Sequence, residues 1–486
     1  MANTDSSVIP LALSPDTTRR ASYDVPNELW LHIFHLATFV QGSLDAEHHD
    51  SFDHEADLWN TALQYSTIPR FPLIKASNAT KLGFALVCKR WHGLAIPLLY
   101  RTVHVNKCDD LRSLGHTLQQ SAKSAADASA EGHNPPLGSW VLRLDLAMDD
   151  LPKTASGMTS VLENLTAIFI SLPKLEILSV NALPPLHLAA TDASRPLSLC
   201  LAHISEPTWD ALTSSCGGSL LRLQFTANLY NSCILPPLPS GQGGMLTGFT
   251  RLRTLGPGFD GECPVCNELP STLTSYIRPL HGRNTHECSL VRGLPHPQCP
   301  RLSTISLTIR RSHPSLCSQR FLALNGLPVT TILIFSSRSA VKYRLTLELI
   351  RQYCPNLTRL ILVVTTLDQT DNASDIIRLM PPSVTHLGVA LDLPHWYRDP
   401  SSTEAIDESD LGRIVEWLSE ARLALSSSAV RLVRFFHSKY YERPSRSGET
   451  QVLGLDTELG EALKRFEGCR VPLEGFNGQL LRCATE

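Results

Sequence analysis

The sequence predicts a mixed chain, α+β in its overall content. A small helical module leads, and behind it comes an α/β solenoid with one strand and one helix in each repeat. Three observations predict it. The first is the length of 486 residues, long for one compact core but natural for a small module plus an extended repeat domain. The second is an apolar signature, L-x-x-L-x-L, that returns eight times after residue 137. The third is a short helix near the N-terminus, DVPNELWLHIFHLATFV over residues 24–40, with apolar side chains on more of its circumference than a small core needs.

Length becomes informative when set beside composition. Hydrophobic residues make up 43% of the chain, and 27 Gly with 33 Pro is close to the background share, so most of the chain is expected to fold. A formal charge of -3 supplies no electrostatic reason to bind nucleic acid or an anionic membrane, and neither is expected as a partner. The opening residues MANTDSSVIPLALSPDTTRR lack a charged start followed by a long apolar core, and no apolar run is long enough to span a bilayer. The expected location is intracellular, in cytoplasm, nucleus or both. Thirteen cysteines at irregular spacing include Cys88 and Cys354 inside apolar patterns, where a reduced thiol behaves as a small hydrophobe. Disulfides and cofactors are not expected.

The repeated signature carries the solenoid. It is found at Val141/Leu144/Leu146, Leu175/Leu178/Val180, Leu220/Leu223/Phe225, Leu302/Ile305/Leu307, Val329/Ile332/Ile334, Leu357/Leu360/Leu362, Val384/Leu387/Val389 and Val430/Val433/Phe435. Four consecutive starts, 302, 329, 357 and 384, are spaced by 27, 28 and 27 residues, which lies within the repeat length of leucine-rich repeats. Prolines in LPKL, CPRL, LPVT, CPNL and MPPSV mark strand entry, where a missing N–H costs no ladder bond. Between strands, SGMTSVLENLTAIFISL, SEPTWDALTSSC, YRLTLELIRQYC and ASDIIRLM have helical spacing. LGRIVEWLSEARLAL reads as an amphipathic helix with Ile414, Trp417, Leu418 and Leu425 on one side. Two fragments are degenerate: LPSTLTSYIRPL keeps Leu273 and Tyr276 but has Arg278 at the third anchor, and FTRLRTLG offers Leu252 and Leu255 alone. No strand is followed by the asparagine that satisfies turn backbone in regular arrays, so those groups must find other partners.

The N-terminal helix has clear boundaries. Asp24 can cap it, Pro26 fits the first turn, and Glu28 sits at the positive end of the dipole. Leu29, Ile33 and Leu36 share one face and Trp30, Phe34 and Ala37 the adjacent one, leaving Asn27, Glu28, His32 and His35 for water. A second helix reads in KLGFALVCKRWHGLAIPLLYRTV, with Leu82, Ala85, Leu86 and Lys89 on one side, Phe84, Val87, Trp91 and Leu94 on another, and Pro97 as its stop. The intervening residues 41–80 hold six acids with His48, His49 and His54, and read as a solvated acidic loop rather than a metal box. The expected organisation is a leader over 1–22, a helical module over 23–105 with an acidic insertion at 41–80, a linker over 106–136, the repeat array over 137–440 and an extension over 441–486.

The two half-motifs Val25-Pro26-x-Glu28-Leu29 with Ile33-Phe34, and Val87-Cys88-Lys89-x-Trp91, resemble the F-box, a helical module by which substrate receptors dock on the Skp adaptor of cullin-RING ubiquitin ligases. With IPLLYRTVHV after it and irregular leucine-rich repeats behind it, the chain is similar to fungal, basidiomycete-type F-box proteins. The resemblance implies a non-catalytic receptor subunit. Val25, Pro26, Leu29, Ile33, Phe34, Leu86, Val87, Lys89 and Trp91 would bind the adaptor, and through it cullin and a RING subunit, while the repeats hold a protein substrate. Two departures are Val25 where the family usually has Leu, and the long join between the half-motifs. Loop closure costs only ~0.6 kcal/mol per doubling of length, so the insertion is compatible with the module.

Two other readings compete. CPVC at Cys263 and Cys266, followed by His281 and His286, has zinc-finger spacing, with Cys288 or Cys299 as substitute ligands. Two prolines in NELPSTLTSYIRPL, where such a finger places its helix, weigh against it, so no metal site is favoured. A repeat scaffold with no ubiquitin role is the other. No G-x-S-x-G, phosphate-binding loop, H-E-x-x-H or dinucleotide fingerprint is present, and SGQGGMLTG lacks a strand-turn-helix setting, so no enzymatic activity is expected.

Overall fold

The computed structural model describes residues 25–40, 43–45, 71–127, 135–148, 150, 152, 154–182, 206–227, 246, 248–256, 269–279, 298–309, 316–336, 341–364, 373–391, 408–437, 464–466 and 469–474. The chain divides into two compact units, Met1–Ser43 with Arg70–Thr102, and Leu44–Pro69 with Val103–Glu486. No helix among the described residues is long and apolar enough to cross a membrane.

The first unit is helical. Its elements are α1 (Asn27–Thr38), α2 (Phe71–Val87) and α3 (Lys89–Arg101). Helix α1 begins just after Pro26, whose carbonyl accepts from the N–H groups of Leu29 and Trp30; Asp24 lies outside the described residues. The single helix expected from the second half-motif is two helices, and the break is at Cys88 rather than Pro97. Cys88 is extended, with φ -161 and ψ 165, and its Sγ accepts from the Trp91 N–H at 3.4 Å, capping α3 in the manner of a serine. Pro97 removes one helical hydrogen bond without ending α3, because Leu94, Ala95 and Leu98 around it are packed into the unit's core. Residues 71–80, expected in the acidic insertion, form the first part of α2, where Pro72 occupies a first-turn position that needs no N–H.

The second unit is built on one sheet. Its strands are β1 (Thr102–Val105), β2 (Arg143–Met148), β3 (Ile177–Ala182), β4 (Arg222–Ala227), β5 (Thr254–Leu255), β6 (Ser275–Pro279), β7 (Thr304–Ile309), β8 (Thr331–Ser336), β9 (Arg359–Val364), β10 (His386–Leu391), β11 (Leu432–His437) and β12 (Leu473–Glu474). The spatial order is the chain order from β1 to β12, and every pairing from β2 to β12 is parallel. A doubly wound sheet reverses its order at a switch point. This one never does, so each connection advances the chain by one strand, an arrangement compatible with an α/β solenoid. The connecting helices are α4 (Cys108–Asp127), α5 (Ala155–Ile170), α6 (Glu206–Cys216), α7 (Leu316–Asn325), α8 (Val341–Tyr353), α9 (Ala373–Leu379), α10 (Glu408–Glu420) and α11 (Arg422–Ser427).

The anchors of the repeated signature set the register. Leu144, Leu178, Leu223, Leu255, Tyr276, Ile305, Ile332, Leu360, Leu387, Val433 and Leu473 follow one another across the sheet. Both degenerate fragments take their place, β6 placing Arg278 opposite Leu307 and β5 pairing on either side. Because a slip of one residue would turn every anchor away from the core, burial of Leu144, Leu223, Ile332 and Leu360 at 0% exposure holds the register.

Strand entry is satisfied by a ladder of hydroxyls. The N–H groups of Thr330 and Thr331 converge on Ser303 O, those of Thr358 and Arg359 on Thr330 O, and those of Thr385 and His386 on Thr358 O. The hydroxyl of each leading residue also donates to the same carbonyl: Thr330 to Ser303 at 3.3 Å, Thr358 to Thr330 at 3.2 Å and Thr385 to Thr358 at 3.2 Å. The stretch 106–136, expected to be a linker, contains α4, which buries Leu111 and Leu118 and passes so close to α5 that a Cβ on Gly115 would lie 3.5 Å from Ile168. Strand β12 lies within the expected extension 441–486. The LGRIVEWLSEARLAL helix is divided at Ala421 into α10 and α11, with Ile414, Trp417, Leu418 and Leu425 all buried.

Candidate functional site

The first unit closes on an aromatic cluster. Phe34 of α1 is 1% exposed and stacks on Phe84 of α2 with centroids 4.4 Å apart; Trp91 of α3 meets Phe34 edge-on at 4.9 Å and Trp30 at 4.6 Å. Ala85 and Ala95 are buried with Phe34, and their small side chains let the rings fill the space between the helices. Polar groups fasten the periphery. Arg90 donates to Val25 O at 2.7 Å and to Asn27 Oδ1 at 2.8 Å, Ser77 Oγ donates to Thr38 O at 2.6 Å, and His92 Nδ1 lies 3.1 Å from Ala85 O.

The same helices leave large apolar side chains in water. On α1, Leu29 (54% exposed), Ile33 (46%) and Leu36 (64%) follow the i, i+4, i+7 spacing and share the face adjacent to that of Trp30 and Phe34. On α2, Leu82 and Leu86 share a face at i, i+4, and Val87 ends the helix, all three exposed. An isolated exposed leucine is unremarkable in any protein, but rows of them on two neighbouring helices are what a protein-binding face presents.

The expected adaptor-binding residues are thus sorted into two groups. Pro26, Leu29, Ile33, Leu86, Val87 and Lys89 are exposed, and Val25 is half-buried. Phe34 lies in the core, and Trp91, partly buried, packs against it. Ala37, expected on the face of Trp30 and Phe34, is exposed; Thr38 takes that place, its hydroxyl bonded to Phe34 O at 2.7 Å. Leu36 and Leu82, outside the expected set, belong to the exposed rows, and their i+7 and i-4 spacings to Leu29 and Leu86 were the signal for them.

One buried charge stands behind this surface. Lys81 is 8% exposed on the inner side of α2, its Nζ donating to Asn78 Oδ1 at 3.1 Å while Asn78 Nδ2 donates to Thr102 O at 3.3 Å. Burial, reinforced by the Arg101 guanidinium, lowers the Lys81 ammonium to about 8.

Cys263, Cys266, His281, His286 and Cys288 lie outside the described residues, as do the histidines of the acidic insertion, His48, His49 and His54. Among the described residues no group of three or more His, Cys, Asp or Glu is placed to hold a metal ion. Cys299 is buried in the sheet unit, where its N–H donates to Asn325 Oδ1 at 2.7 Å and burial pushes its thiol up to about 11. No model of a known protein family and no curated protein matches the chain.

Proposed function

We propose that the chain is the substrate-recognition subunit of a Skp–cullin–F-box type ubiquitin ligase. In this reading the first unit is an F-box that docks the Skp adaptor, and the sheet unit is an irregular leucine-rich-repeat array that holds a target protein. The observation that carries the reading is the split character of α1: Phe34 closes the unit's own core while Leu29, Ile33 and Leu36, on the adjacent face, stay in water. Each large apolar side chain removed from water by a partner contributes ~1.5 to 3 kcal/mol before ordering costs, so the rows on α1 and α2 suffice for a specific complex.

The role requires no catalytic residue in this chain. Ubiquitin transfer belongs to the RING subunit and its charged carrier, and the receptor acts by raising the effective concentration of target lysines beside them. Hydrogen exchange tests the assignment: adding purified Skp adaptor should slow exchange in residues 27–39 and 82–91 and leave that of the β8–β10 strands unchanged. Unchanged exchange in both helices at saturating adaptor would leave a repeat scaffold with no ubiquitin role.

A further inference from the structure

Helix α1 ends at Thr38 and α2 begins at Phe71, so no short loop fixes α1 against the helices it packs on. Besides the aromatic cluster, a polar tie holds each of its ends. At the C-terminal end Ser77 Oγ of α2 donates to Thr38 O at 2.6 Å. At the N-terminal end Arg90 of α3 donates through Nη2 to Val25 O at 2.7 Å and through Nε to Asn27 Oδ1 at 2.8 Å. The two acceptors belong to the residues on either side of Pro26. Pro26 itself, the N-cap residue of α1, makes no side-chain bond to the helix, and its carbonyl serves the N–H groups of Leu29 and Trp30.

The placement of Arg90 runs against helix electrostatics. A helix N-terminus carries partial positive charge and favours acids, yet α3 opens on Lys89 and Arg90 with no acid in its first turn. The same guanidinium also meets the first residue of α1, Asn27, so one cation stands at two helix N-termini. Positions that break a local rule without benefit to their own element are those where function sets the residue. What arginine supplies here is geometry, since its planar fork reaches two acceptors at once and the point charge of a lysine does not. Pro26 and Leu29 on one side of the fork, and Val87 and Lys89 on the other, are all exposed.

We propose, resting on the F-box reading of the first unit, that Arg90 is a positioning residue of the adaptor-docking face: its fork sets where Pro26 and Leu29 stand relative to Val87 and Lys89. An adaptor that touches both groups then meets one preformed surface and does not have to order the start of α1 as it binds. The aromatic cluster does not do this alone. The Trp30–Trp91 contact, with centroids 4.6 Å apart, is apolar and tolerates sliding, whereas two hydrogen bonds from one rigid plane fix direction as well as distance. Because Ser77 holds the other end of α1, loss of the fork loosens the first turn and leaves the rest of the helix in place.

The test uses the full chain and purified Skp adaptor. Calorimetric titration should show Arg90→Gln weakened about tenfold, Arg90→Lys weakened nearly as much although it keeps the charge, and Asn27→Ala, which removes one arm, weakened about threefold. Asn27→Ala placed in the Arg90→Gln background should weaken binding no further, because the two changes break one interaction. Without adaptor, hydrogen exchange in Arg90→Gln should quicken over residues 27–31 and stay unchanged over 71–87. Binding by Arg90→Gln as tight as that of the natural sequence, full rescue by Arg90→Lys, or faster exchange over 71–87 as well would each overturn the positioning role and leave the F-box reading standing. Absence of binding by the natural sequence would overturn the F-box reading and this role with it.

Discussion

Phe34 of α1 stacks on Phe84 of α2, their ring centroids 4.4 Å apart and their planes 18° from parallel, and this pair defines which side of α1 belongs to the protein itself. Ile33, its immediate neighbour in sequence, is 46% exposed. Two adjacent apolar residues therefore have different roles, and they should respond differently to truncation. Phe34→Ala is expected to destabilise the first unit by ~3 to 5 kcal/mol, the cost of a large buried ring and the cavity it leaves. Leu29→Ala and Ile33→Ala should each change stability by less than about 0.5 kcal/mol. Hydrogen exchange over residues 27–38 and 71–101 of the intact chain reports both; comparable losses from Phe34→Ala and Ile33→Ala would mean that both faces of α1 are packed internally.

Lys81 gives the first unit a pH dependence on the alkaline side. Its folded value of about 8 lies below the ordinary 10.5, so folding favours the neutral amine. Below about pH 8 the ammonium is charged in both states and the full penalty is present; between pH 8 and 10.5 the folded form sheds its proton first and the unit gains stability. Lys81→Met should remove that slope and stabilise the unit at neutral pH by roughly 1 to 3 kcal/mol. Unfolding of the unit, followed at pH 7.5 and 9.5 in both proteins, measures it; equal slopes would show that Lys81 is not the group responsible.

The thiols divide by burial. Cys216 and Cys354, both at 0% exposure, are pushed up to about 12 and Cys299 to about 11 by burial, whereas Cys88 is exposed at the α2–α3 junction. The thiolate is the reacting species, so brief alkylation of the native chain at pH 7.5 should modify Cys88 and spare the other three until denaturant is added. Mass mapping reads the outcome, and labelling of Cys354 as fast as Cys88 would contradict the packing at the end of α8.

Much of the sheet was legible because its anchors repeat a chemical demand. Leu302, Val329, Leu357 and Val384 each open a strand whose next apolar residues must enter the core, and two-residue alternation allows only one register. Strand β12 and the short β5 escaped or were reduced to fragments because two residues carry too little pattern. Helix α4 went unread for a related reason: only Leu111, Gly115 and Leu118 of its inner face are buried along a polar, alanine-rich sequence. The turns after the strands, for which the sequence called for partners other than asparagine, lie outside the described residues; at strand entry the sequence did not show that Ser303, Thr330, Thr358 and Thr385 align, since alignment depends on the register of neighbouring strands.

In the first unit the apolar surplus of α1 was visible in sequence and its assignment to faces was not. Spacing groups Leu29 with Ile33 and Trp30 with Phe34, but only the arrival of Phe84 and Trp91 from α2 and α3 decides which group turns inward. The break at Cys88 was hidden for the same reason. A proline is a stronger local signal than a cysteine, yet Leu94 and Leu98 on either side of Pro97 are held by tertiary packing that overrides it.

We propose above that the exposed rows of α1 and α2 are completed by the Skp adaptor. The most direct measurement is sedimentation velocity of the full chain mixed with purified adaptor, for the natural sequence and for a variant in which Pro26, Leu29 and Ile33 are all changed to Asp. A one-to-one complex with the natural sequence at micromolar concentration is expected, with loss of that complex in the variant while its helical circular dichroism is retained. No complex with the natural sequence, or full retention of it by the variant, would mean that these rows are not an adaptor-docking face.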